Sequence, residues 1–266
     1  MKLSRSRILA AGIVTAGVLL LLPWGLVIIG AEPPAAEMSR KPSTYAPAKD
    51  LEAQVTFFLD RINEDLADEA KYDETGVERV KRDANTLAVL ALVLGKHDEG
   101  NRYQGSAEAM LAEALQLAAK SANFAEAKTA FAKLNETLQK ETGNSPPANL
   151  TWKPVGDIVE LMNQVPKLNT ALRGGVTGSA ERFEKSRDKG AGLAASIAAI
   201  AQISVLDDSY CTSDADRADW IELSGLMRDA AYTVNQAIRR GDQAAAREGL
   251  KPLARTCDDC HEQFKD

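Results

Sequence analysis

The chain has 266 residues, with 38 Asp or Glu against 32 Lys or Arg and a formal net charge of -6. That acidic balance excludes a general nucleic-acid binder, which needs surplus positive charge along its contact face. Only 5% of the residues are aromatic, and Ala, Leu, Glu, Lys and Arg dominate, so strand signals are almost absent and helices are expected throughout.

Lys2, Arg5 and Arg7 precede an uncharged apolar run over 8–31. Positive charge ahead of such a run keeps the N-terminus in the cytoplasm and sends the rest of the chain across the membrane. The run is longer than a usual signal-peptide core and long enough to span a bilayer. Residues 1–31 are therefore expected to be a signal peptide or a membrane anchor, with the anchor slightly favoured and Ile29-Gly30-Ala31 as a tolerable cleavage site. Cleavage there would remove three positive charges and take the net charge from -6 to -9. Residues 32–49 are rich in Pro, Ala and Ser and read as a flexible spacer.

From residue 50 the apolar residues recur at helical spacing. Four helices are expected over 50–71, 76–96, 105–122 and 124–141, and four more over 155–172, 179–203, 216–240 and 242–264. Between them lies a Gly/Pro-rich linker, 143–154. The fold expected is all-α, two tandem up-and-down four-helix bundles over 50–142 and 155–266.

The last helix carries the most informative residues, Cys257-Asp258-Asp259-Cys260-His261. Cys-x-x-Cys-His is the attachment signature of c-type haem. At helical spacings of three and four, all three side chains share one face. The thiols can then bond two vinyl groups while His261 reaches the iron as proximal ligand. A zinc site would need a second ligand pair, and only His97 and Cys211 remain, in separate segments. A thioredoxin-like dithiol belongs where a strand enters a helix, and here the preceding residues form helix. Export agrees with the motif, so the two ends of the chain support each other, and a periplasmic or other extracytoplasmic location is expected. Cys211 is left over in a polar loop, either free or available to another chain.

The two sets of helices look like a tandem repeat. When 123–127 is slid onto 242–246, Leu138, Glu141 and Thr142 fall where Cys257, Cys260 and His261 stand. The first set is thus expected to be a haem-free scaffold or docking domain. The run 190–196 is small-residued where 87–94 is bulky; this leaves either room for a macrocycle or closer helix packing.

A haem-attachment motif on the last helix of a four-helix set, ending His261-Glu262-Gln263-Phe264-Lys265, resembles the cytochrome c-prime family over residues 152–266. The resemblance implies one covalent haem c per chain, held by Cys257 and Cys260 with His261 on the iron. It implies electron transfer with redox partner proteins or binding of small diatomic gases such as NO and CO, and allows a homodimer. It also places the far side of the haem against the first helix of the set, where Met162 is the candidate sixth ligand; the alternative is a space-filling core methionine. Pro166 cannot donate to the Met162 carbonyl and should bend that helix. Phe183, Trp220, Tyr232 and Phe264 are the aromatics available to pack on the ring. Asp258, Asp259 and Glu262 should lower the iron potential modestly. No distal base for peroxidase-like chemistry is evident, and no enzyme activity is expected.

Overall fold

The structure, a computed structural model, describes Glu37, residues 39–140 and residues 149–264. The expected anchor 1–31, the start of the spacer, Glu141, Thr142 and residues 143–148 lie outside the described residues. Among those described there are eight α-helices and no strand. They are α1 (Ala48–Asp65), α2 (Glu74–Gly95), α3 (Ala107–Lys120), α4 (Phe124–Lys140), α5 (Ile158–Val176), α6 (Ala180–Ser204), α7 (Asp214–Arg239) and α8 (Gln243–Phe264).

Local chemistry sets the ends. Asp73, Asp157, Ser179 and Ser213 each accept a backbone N–H in the first turn of α2, α5, α6 and α7, satisfying donors that a helix start otherwise leaves unpaired. The first expected helix stops early, at Asp65. Asp68 accepts the Ala70 N–H at 3.0 Å and starts a separate 3-10 turn over Glu69–Lys71, a local bond that competes with the helix. The fifth starts later than expected, because Gly156 has φ 80°, a conformation that favours glycine, and Asp157 then caps the helix.

Helices α1 to α4 pack in chain order, while α5 to α8 pack in chain order and α8 returns onto α5. The two sets also pack on each other, through α1 with α6 and α2 with α5 and α6. Helices α2 and α6 therefore touch four others each. That is why residues 87–94 of α2 and 190–204 of α6 are buried continuously, without the polar stripe of a surface helix. One apolar core runs through both sets. Buried polar pairs cross between them: Ser196 Oγ donates to Gln54 Oε1 at 3.3 Å, and Asn235 Nδ2 donates to Asp50 Oδ2 at 2.6 Å.

The spacer expected to stay flexible as far as residue 49 is instead packed from about residue 41. Pro42–Thr44 forms a 3-10 turn, and Tyr45 and Ala46 are fully buried. Ser43 donates from its amide and hydroxyl to Asp98 at 2.9 and 2.7 Å. Arg228 of α7, fully buried, pairs with Glu37 and donates to Gln202 Oε1 at 2.7 Å. Apolar Tyr45 and Ala46 fill core space that a Pro-rich composition does not advertise.

Candidate functional site

Helix α8 presents Leu253, Thr256, Cys257 and Cys260 on one stripe. Leu253 and Thr256 are buried and the two cysteines half-buried, whereas Asp258, Asp259 and Glu262 are exposed. The helical period thus turns both thiols inward and the acidic residues outward. Cys257 Sγ lies 3.6 Å from the Leu253 carbonyl, as a weak donor. Burial, with a small contribution from Cys257, pushes the Cys260 thiol up to about 11, and burial and Asp258 raise Cys257 as well. Thiols so placed are the reverse of the low-pKa thiol that a dithiol redox catalyst requires. Among the described residues no group of three or more His, Cys, Asp or Glu is arranged to hold a metal ion.

Cys257, Cys260 and His261 line one cleft together with Met162. Its inner part, a cavity of about 40 Å³, reaches Val165, Leu223, Met227 and Thr256. Its outer part, about 370 Å³ and open at the mouth, is bounded by Val159, Asn163, Tyr210 and Phe264. Met162, Pro166, Trp220, Cys260 and His261 border both. The outer part falls within the usual range of ligand sites, about 300–1,000 Å³, and the inner part is a narrow extension of it. The cleft gathers the start of α5, the end of α6, the start of α7 and the end of α8.

Trp220 is fixed as its back wall. Its indole N–H donates to the Ser204 carbonyl at 2.7 Å. Tyr210 stacks on it with centroids 5.8 Å apart, and Phe264 meets it edge-on at 5.1 Å. Gln263 Nε2 donates to Asp219 Oδ2 at 2.6 Å and ties the end of α8 to α7. Two of the three most exposed large apolar residues described, Val159 (48%) and Tyr210 (41%), stand at this mouth. Apolar surface gathered at the mouth of an apolar cleft marks a place for a ligand.

The donor set present fits a haem, with the two thiols half-buried and His261 exposed at the mouth. Two thiols and an imidazole stand on one wall of an apolar cleft, and a thioether faces from another. Of the aromatics expected at the ring, Trp220 and Phe264 are at the cleft, whereas Phe183 and Tyr232 are not among its lining residues. Tyr210 escaped sequence reasoning because it lies in a polar loop beside Cys211, with no periodicity to place it.

The small-residue run of α6 serves packing rather than macrocycle space. None of residues 190–196 lines the cleft. A Cβ at Gly192 would overlap Gln54 of α1, and one at Gly190 would lie 3.4 Å from Ile238. Helix α6 is thus thinned where α1 crosses it.

His97 is a structural residue. It is buried just beyond α2, its Nε2–H donates to the Ala46 carbonyl at 2.9 Å, and its Nδ1 accepts the Glu99 N–H at 3.0 Å. Both ring nitrogens are used, which fixes the orientation of the ring. Cys211 is half-buried and unpaired, and burial raises its thiol too. Leu138, the counterpart of Cys257 in the first set, is half-buried at the core. No helix among the described residues is long and apolar enough to cross a membrane. Comparison with protein-family models, curated proteins and solved structures finds no match to this chain.

Proposed function

We propose that the chain is an exported monohaem c-type cytochrome, tethered by or processed from its N-terminal segment, and that it carries electrons between partner proteins. The observation that carries this reading is the convergence of Cys257, Cys260, His261 and Met162 on one apolar cleft. The alternating helix ends around that cleft support an up-and-down four-helix bundle over α5 to α8, and the chain-order packing of α1 to α4 supports a second, haem-free set.

Cys257 and Cys260 would hold the macrocycle through thioethers, and His261 would ligate the iron. Bound there, the iron supplies a one-electron couple. The protein's own part is to keep water from the inner cleft with Val165, Leu223 and Met227, to fix one wall with Trp220, and to hold His261 through the anchored last turn of α8. Exposed Asp258, Asp259 and Glu262 place negative charge beside the attachment edge, which favours the ferric form.

Met162 supports a second reading. It borders both parts of the cleft and is half-buried, so it either ligates or lines a vacant position that takes NO or CO. Carbon monoxide added to the reduced protein separates the two. A low-spin spectrum lost in Met162→Ala means ligation; fast CO binding by a high-spin protein means an open position. The attachment is tested first. Cys257→Ala with Cys260→Ala should remove covalent haem stain from a denaturing gel, and native material with the mass of bare polypeptide would end the proposal.

A further inference from the structure

The first four helices reach the cleft through α6 and through α5, and the contact with α5 is specific. Asn85 of α2 is buried (3% exposed). Its Oδ1 accepts the backbone N–H of Asp157, the N-cap of α5, at 2.8 Å, and its Nδ2 donates to the Lys81 carbonyl at 2.9 Å. The chain passes so close that a Cβ on Gly156 would lie 3.2 Å from Asn85 Oδ1. One turn back on α2, Lys81 Nζ pairs with Glu160 Oε1 at 2.8 Å. Deeper in, Gln164 Nε2 donates to Asp83 Oδ1 at 2.8 Å, both side chains being fully buried, and Arg61 of α1 stands 3.1 Å from the other Asp83 oxygen.

Residues 157, 160 and 164 therefore form the stripe of α5 that faces α2. Val159, Met162, Asn163 and Pro166 form the stripe that lines the cleft. At 3.6 residues per turn these lie on roughly opposite sides of the helix. Pro166 has no N–H for the Met162 carbonyl, so α5 lacks a rung within this segment. A helix weakened there needs support from outside, and Asn85, Lys81 and Asp83 grip it on both sides of Met162.

We propose that Asn85, Lys81 and Asp83 of the haem-free set are positioning residues for the α5 wall, and that through them the first four helices set how closely Met162 approaches the iron. This rests on the haem reading above. It assigns the first set a part in setting the sixth coordination position.

The test compares Asn85→Ala, Asn85→Asp and Lys81→Met with the wild-type holoprotein. Asn85→Asp keeps an acceptor for the Asp157 N–H, and Lys81→Met removes a partly exposed pair that folding does not require. Asn85→Ala and Lys81→Met should change the high-spin to low-spin ratio or the CO association rate by about fivefold, the worth of one ordinary hydrogen bond, and Asn85→Asp, which keeps the acceptor and loses the donor to the Lys81 carbonyl, should change them less than Asn85→Ala. Hydrogen exchange over residues 157–166, measured in the same variants carrying Cys257→Ser and Cys260→Ser, should quicken for Asn85→Ala without any cofactor. If exchange quickens while spin state and CO rate stay put, the contact is merely structural and the proposal fails. If exchange does not change, α2 does not hold α5 and the proposal also fails. Absence of covalent haem in the wild type would sink the haem reading instead, and with it the assignment to the iron, while the exchange result still decides whether α2 holds α5.

Discussion

At the scale of single residues, Asp83 carries the clearest pH signature. Burial raises its carboxyl from 3.8 to about 6, with the Arg61 guanidinium pulling the other way. Because the folded-state value lies above the unfolded one, the contribution to stability is fully present below about pH 4 and is lost as pH rises through 6. Asp83→Asn removes the charge and keeps an acceptor for Gln164. Urea titrations of the two proteins at pH 5 and pH 8 should therefore show the variant gaining on wild type at the higher pH, by on the order of 1 kcal/mol. An unchanged difference would mean that Asp83 titrates normally. The haem-motif residues were legible from spacing alone, since 257, 260 and 261 share a helical face by arithmetic. Asp83 was not, because its burial depends on α5 arriving from a distant part of the chain, and no local pattern announces that partner.

At the scale of helices, the periodicity disclosed all eight elements, and the errors sit where one side chain decides. Asp68 cut the first helix short, Gly156 and Asp157 delayed the fifth, and Ser213 brought the start of the seventh forward to Asp214. The small run in α6 was visible in sequence, but its purpose was not, because room for a macrocycle and close approach of a helix call for the same residues. The crossing with α1 resolves it, and it yields a prediction. Gly192→Ala should force Gln54 from its place and break its bond with Ser196, costing about 1–3 kcal/mol. Thermal unfolding reads that loss directly, and a variant as stable as wild type would show that the crossing has slack. Cofactor attachment should persist in the folded fraction, since Gly192 is remote from the cleft lining.

At the scale of the whole molecule, two sets of helices that a linker divides in sequence share one core in space. The composition of residues 143–154 announced a boundary, yet Leu150 and Val155 are buried at its far end, so the linker returns the chain to the core. The N-terminal strap behaves likewise. Arg228→Leu removes the buried partner of Glu37, at a cost of about 3–5 kcal/mol for breaking a buried ion pair, and leaves the strap held by Arg40 on Asp229 and Ser43 on Asp98. Trypsin should then cut after Arg40 faster than it does in wild type; equal cutting rates in variant and wild type would show that Arg228 does not hold the strap. If residues 8–31 stay in a bilayer, this fastening fixes the working radius of the protein. From Ala31 to Glu37 a stretched chain covers about 20 Å, against about 65 Å had the leash run free to Asp50. A haem carried on so short a rein would sweep a thin layer above the lipid headgroups, so its electrons would go to acceptors seated in or on the same membrane rather than to carriers diffusing far from it.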